Sequence, residues 1–218
     1  MVEGPEAGIY LIIVDVLRYV IIDHEKMIKR FVNYVDGLYQ GIPLYVYIVS
    51  VCLFLLGALF TYYMKGRRQG NKDIFLLITI EYIFLIFYVT VFRRPHFDTV
   101  KYSFIPFWSF GAIQNGYLNL FPVVVMNVVI FIPIGFFIGY VSRLKWSKVL
   151  LIGLCISVTI ESLQFLLKRG FSELDDVIHN TLGCLIGVVM LAVIKRIWKF
   201  CAYIFLPQRG NMGFMIND

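Results

Sequence analysis

Six stretches of the chain are almost wholly apolar: residues 8–22, 44–64, 74–92, 119–141, 149–167 and 177–194. Segments two to six are each 18–23 residues long, enough to cross a hydrocarbon layer about 30 Å thick at about 1.5 Å of rise per residue. The six stretches total 115 residues, yet they hold only four of the 34 charged side chains: Asp15, Arg18, Glu81 and Glu161. A soluble core does not sort its charges this way, whereas a bilayer demands it. The pattern predicts an all-α polytopic membrane protein, a bundle of five or six transmembrane helices.

The first segment is the weakest, with fifteen residues and an Asp15/Arg18 pair at i, i+3 spacing. No proline or glycine interrupts residues 9–36, and Ile28, Phe31, Val32 and Val35 repeat at helical spacing. Residues 8 to about 36 are therefore either one long tilted helix or a short crossing followed by a surface helix. Pro133 leaves the carbonyl of Val129 without its helical donor, which predicts a kink in the fourth helix. Gly183 and Gly187 form a small-xxx-small pair that lets a neighbouring helix come close, and Gly135 and Gly139 have the same spacing. Between segments three and four, residues 93–118 carry Phe97, Tyr102, Phe104, Phe107, Trp108, Phe110 and Tyr117. Such a run suits a headgroup-level belt, or a lid over a pocket. The expected organisation is one membrane domain, with an N-terminal part (1–73), a helical core (74–195) and a short interfacial tail (196–218).

Composition sharpens this picture. Hydrophobic residues make up 60% of the chain and charged ones 16%, with a mean hydropathy of +0.79, which excludes a soluble enzyme, a nucleic-acid-binding domain and a disordered tail. The net charge of +6 belongs to loops facing anionic lipid, so no nucleic-acid partner is expected. Loops 65–72 and 142–148 and the segment 195–199 carry ten Lys and Arg. The opposite side has five, or eight once Lys26, Lys29 and Arg30 are included. That contrast predicts a cytoplasmic C-terminus, with 93–118 and 168–176 facing outward. Glu3 and Glu6 stand where a cleavable signal peptide carries basic residues. The four cysteines form no CxxC, and the three histidines (His24, His96, His179) lack zinc spacing, so neither a metal nor a cofactor is expected.

The ionisable and amide groups that the membrane must tolerate gather in one half of it, on segments four to six. Asn127 lies about 12 Å and Glu161 about 9 Å inside the outer helix ends at helical rise, with Gln164, His179 and Asn180 shallower. Glu161, Gln164 and Lys168 fall on one stripe, and Asp176, Asn180, Gly183 and Gly187 on another. The short 168–176 connection makes segments five and six antiparallel neighbours, with Asn180 closer in depth to Glu161 than Asp176 is. Asp176 reads as a cap of the last helix, and Glu81 as a separate buried acid.

Three blocks resemble the VanZ-like family of bacterial membrane proteins. Asn127-x-x-x-Phe131-x-Pro133-x-Gly135 is similar to the family's N-x-x-x-F-x-P-x-G, and Glu161-x-x-Gln164 to its E-x-x-Q. Glu173-x-x-Asp176-x-x-x-Asn180-x-x-Gly183 is similar to D-x-x-D-x-x-x-N-x-x-G, with Glu173 standing where the family usually has Asp. Arg93 or Arg94 and the Phe104-Ile-Pro106-Phe107 run resemble its upstream Arg and P-F turn. The resemblance covers about residues 75–195. It implies a bacterial inner-membrane protein of the cell envelope, in a family whose named member is associated with teicoplanin resistance.

Two functions fit these residues. In the first, a polar pocket formed by segments four to six binds an outer-leaflet amphiphile, such as a lipid-linked cell-wall precursor or a lipoglycopeptide. Asn127, Glu161, Gln164, Asp176 and Asn180 would line it, with Arg94 or Arg169 near an anionic headgroup. In the second, an intramembrane hydrolase or transferase uses Glu161 as a general base, helped by Asp176 and His179. A plainer alternative is that these groups only hydrogen-bond the helices together, at about 0.6–2 kcal/mol per contact.

Overall fold

A computed structural model describes residues 24–40, 42–65, 71–142 and 144–205. The proposed first crossing at 8–22, its Asp15/Arg18 pair, most of loop 65–72 and the end of the C-terminal tail lie outside the described residues. Among the described residues, seven α-helices and two short strands follow in order: α1 (His24–Gln40), α2 (Leu44–Lys65), α3 (Asn71–Phe87), β1 (Tyr102–Ser103), α4 (Trp108–Gln114), α5 (Leu120–Val141), α6 (Trp146–Leu167), β2 (Ser172–Glu173) and α7 (Leu174–Phe205). Among the described residues, four stretches are long and apolar enough to cross a membrane: Lys72–Phe92, Leu120–Val141, Trp146–Leu167 and Leu174–Tyr203. A shorter apolar helix covers Leu44–Phe60. The chain is an all-α, multi-pass membrane protein.

Several boundaries differ from those read from hydropathy. α1 runs to Gln40 rather than to about 36, and Ile28 and Val32 on its apolar face are exposed. α7 starts three residues before the apolar segment and continues eleven beyond it, so residues 196–205 are helix rather than tail. Lys195, Arg196 and Lys199 raise the polarity of that last stretch, but straight-chain basic residues are good helix formers.

Where helices sit in an apolar solvent, close van der Waals packing replaces the hydrophobic drive. α5 and α7 meet along glycine: a Cβ on Gly183 would lie 2.0 Å from the carbonyl oxygen of Val128, and one on Gly187 2.0 Å from that of Ile132. A Cβ on Gly135 would lie 2.0 Å from the carbonyl of Cys184 in return. Gly183 and Gly187 thus face α5, and Gly135 faces α7. Phe131, Ile134, Ile160, Ile86 and Val91 form the buried core between α3, α5 and α6. The Tyr82 hydroxyl donates to the Ile130 carbonyl at 2.8 Å, tying α3 to α5. Glu81 lies elsewhere and accepts from the Ser50 hydroxyl, which joins α3 to α2.

α3 ends in a π-helical turn, Tyr88–Phe92, closed by Arg93 N–H donating to the Tyr88 carbonyl at 2.9 Å. Helix ends leave carbonyls unpaired, and in a membrane each needs a donor. Gln164 Nε2 serves the Thr90 carbonyl at 2.8 Å, and Arg169 Nη1 serves Phe92 at 2.7 Å and Arg94 at 3.1 Å. α6 stops because Lys168 turns left-handed (φ 52°), followed by Gly170 at φ 71°. Lys168 therefore leaves the Glu161/Gln164 stripe, and its ammonium donates to the Asp98 carbonyl at 3.1 Å.

Residues 93–118 are structured. Phe97 N–H donates to Lys168 O at 2.9 Å, Gly170 N–H to Pro95 O at 3.1 Å and Ser172 N–H to Lys101 O at 3.0 Å. β1 then pairs in parallel with β2, Tyr102 opposite Ser172 and Ser103 opposite Glu173. The result is a small knitted cap over the shared end of α3, α6 and α7.

Candidate functional site

The polar residues of α5, α6 and α7 meet beneath this cap, mostly in specific pairs. Asn127 Nδ2 donates to Asp176 Oδ1 at 2.6 Å. Asn180 Nδ2 donates to the Ser157 hydroxyl at 2.9 Å, one helical turn deeper than Glu161. The Glu173 N–H donates to Glu161 Oε2 at 2.9 Å, and the Ser172 hydroxyl to the Glu161 carbonyl at 3.0 Å. The predicted depth order is therefore reversed: Asp176, not Asn180, is the electrostatic neighbour of Glu161. The early start of α7 at Leu174 explains this, because it pushes Asn180 further from the helix end.

Asp176 is also inside α7 rather than at its cap, and its side chain reaches across to α5. Asp175 does the capping, but for another helix. It is 1% exposed and accepts from the Ser109 N–H at 2.9 Å, the Ser109 hydroxyl at 2.6 Å and the Phe107 N–H. These are donors at the start of α4, whose N-cap Phe107 sits at φ 60° with no side-chain cap of its own. A carboxylate there answers both the free N–H groups and the helix dipole.

Glu173 accepts from the Trp108 indole N–H at 2.9 Å. Burial, then the negative charges of Asp176 and Asp175, push its carboxyl up to about 8, against the opposing effects of Trp108 and Arg94. Arg94 lies over Gly170, where a Cβ would come within 3.2 Å of its side chain, and its charge acts on Glu161, Glu173 and Asp176. Arg169, by contrast, donates from its guanidinium to the Phe92 and Arg94 carbonyls. His179 is buried, with its ring 5.6 Å from that of Phe110 and both nitrogens without a hydrogen-bond partner. Gln164 Oε1 and Asn180 Oδ1 also lack partners. Among the described residues no three His, Cys, Asp or Glu side chains are arranged to hold a metal ion.

A groove of about 500 Å³ opens on this cluster between α6, β2 and the start of α7. Phe104, Val158, Phe165, Leu166, Leu174 and Val177 make its surface mostly apolar, and Glu161, Ser162, Ser172 and Glu173 also line it. Asn127, Gln164 and Asn180 do not line it, since they are turned into the helix pairs described above. The aromatic segment does reach it: the Phe104 ring lies 5.1 Å from Tyr102 and 6.4 Å from Phe165.

Sequence reasoning named Glu161, Asp176, Asn127, Gln164, Asn180, His179 and Arg94, and all seven lie at or near this end of the bundle. It missed Ser157, Glu173, Asp175, Ser109 and Trp108 as site residues. Ser157 was detectable, being four residues before Glu161 on the same face. Ser109 and Trp108 were not, because their position depends on pairing with a strand seventy residues away.

No curated protein and no solved structure matches the chain. Residues 74–195 match the VanZ/LLP1 family, and this stretch holds most of α3, all of α4 to α6, α7 as far as Lys195, and the groove. The chain is a member of the VanZ/LLP1 family.

Proposed function

We propose that the protein binds an amphiphile of the outer leaflet in the groove between α6 and α7, as a non-enzymatic component of the bacterial cell envelope. The observation that carries this reading is a groove with apolar walls and carboxyl groups on its floor, opening at one end of the bundle. Along α6 it runs from Val158 to Leu166, about 12 Å at helical rise, which suits a lipid chain with its head toward the cap. A lipid-linked cell-wall precursor and a lipoglycopeptide both have that form, and capture of the latter would give teicoplanin resistance. The reading includes placement in the inner membrane, five or six crossings with a bend at Pro133, a core at 74–195 and the C-terminus in the cytoplasm. The charge contrast between the loops supports that orientation, which turns the groove outward.

A second reading, hydrolysis or transfer on a lipid-linked substrate, is favoured by two carboxyl groups opening into one groove. The pair would be Glu161 and Glu173 rather than Glu161 and Asp176, because Asp176 is held by Asn127 and does not line the groove.

Native mass spectrometry of the protein released from bacterial membranes tests binding. Lipid-sized adducts are expected on the parent protein and absent from Ser162→Trp, which fills the groove. Adducts unchanged in that variant would refute the reading.

A further inference from the structure

The floor of the groove has a chemical bias that narrows its ligand. Glu161 and Glu173 both line this mostly apolar groove and supply its ionisable groups. Each has one oxygen engaged, Glu161 Oε2 by the Glu173 N–H and Glu173 Oε2 by the Trp108 indole. The second oxygen of each carboxyl has no hydrogen-bond partner among the described residues. Glu161 is only 7% exposed, so its free oxygen has little access to anything but the groove. The donors nearby are already committed: the Glu173 N–H to Glu161, and the Ser172 hydroxyl to the Glu161 carbonyl.

Charge points the same way. Glu161, Glu173 and Asp176 interact with one another, with Asp175 adding to the field at Glu173 and Asp176, and Arg94 is the basic group that acts on all three. Arg169, whose guanidinium donates to the Phe92 and Arg94 carbonyls, is not among the charges that act on these three acids. A phosphate on this floor would find Arg94 as its basic partner, already shared among the three acids, whereas a cation would meet a carboxyl on either side.

We propose that the groove selects an amphiphile whose headgroup is a primary ammonium, seated between Glu161 and Glu173 with its chain along Val158, Phe165 and Leu166. This rests on the groove-binding reading above and adds the headgroup class. An ammonium has three donors and no acceptor, which complements two open carboxyl oxygens. Burial first, and then Asp176 and Asp175, hold the Glu173 carboxyl up, and a positive charge there offsets the field of those two acids. Charge-assisted contacts in a poorly hydrated site are the strong kind.

The test uses the full chain in nanodiscs and three probes that share one chain: dodecylamine, dodecyl phosphate and dodecanol. Native mass spectrometry reads their occupancy. Dodecylamine is expected to bind at least about tenfold more tightly than dodecyl phosphate, about 1.4 kcal/mol. Glu161→Gln and Glu173→Gln should each erase most of that preference while dodecanol binding persists. Equal binding of the amine and the phosphate would overturn the headgroup inference and leave the groove reading standing. A preference unchanged in both variants would also overturn it, by locating the amine elsewhere. Binding of none of the three would overturn the groove reading, and the inference with it. The comparison on the parent protein decides the matter even if a variant fails to fold.

Discussion

Asn127 on α5 and Asp176 on α7 are joined by a 2.6 Å hydrogen bond from the amide to the carboxyl. The contact lies directly above the glycine seam of the same two helices, so it fixes their register at the cap end. Asn127→Ala would leave a largely buried acid without its donor. The expected cost is about 1–2 kcal/mol, read as a lowered thermal midpoint in detergent. Ser50→Ala, which removes the separate Ser50–Glu81 contact between α2 and α3, should leave lipid retention unchanged.

Asp175 should matter more. Asp175→Ala strips three donors at the start of α4 of one buried acceptor, at about 1–3 kcal/mol for each donor left without a partner. The loss should be local: hydrogen exchange is expected to accelerate over residues 105–114 while α5 stays protected. Uniform acceleration across the bundle would contradict this assignment.

The glycine seam makes a sharper prediction. In Gly187→Val the first added carbon alone would fall 2.0 Å from a backbone oxygen, which no side-chain rotation relieves. α5 and α7 must separate, and the variant is expected to lose its cooperative thermal transition. Gly37→Ala is the control, since nothing lies within 4 Å of the added methyl. Because alanine is the better helix former, it should be neutral or stabilising by up to about 1 kcal/mol.

Glu173 gives a pH signature. Its carboxyl is held at about 8 against an ordinary value of 4.5, so the folded state binds this proton more tightly than the unfolded chain does. The stabilising contribution is complete below 4.5 and disappears as pH rises through about 8. Thermal midpoints should therefore fall across that range, and Glu173→Gln should flatten the slope. A midpoint that rises with pH over the same interval would show that the acid is held ionised instead.

The long apolar helices from residue 72 onward were legible because a helix that faces lipid is apolar over its whole length. Residues such as Glu161 and Asn127 stood out by the same logic, as polar groups in a place that penalises them. Their partners were harder to read. The Asn180–Ser157 pair depends on where α7 begins, and Leu174, Asp175 and Asp176 are too polar as a group to be counted into an apolar run. The role of Asp175 depends on α4, a seven-residue helix with an internal glycine and no periodic signal. The cap was invisible for a related reason, since two-residue strands carry no alternation and only their pairing defines them.

That pairing has a consequence for biogenesis. Residues 93–103 find their hydrogen-bond partners in 168–173, and α4 finds its acceptor at Asp175. During translation the first of these segments leaves the ribosome some seventy residues ahead of the second. The lip of the groove therefore waits, unpaired, until residues 168–175 have been made and α7 can enter the bilayer.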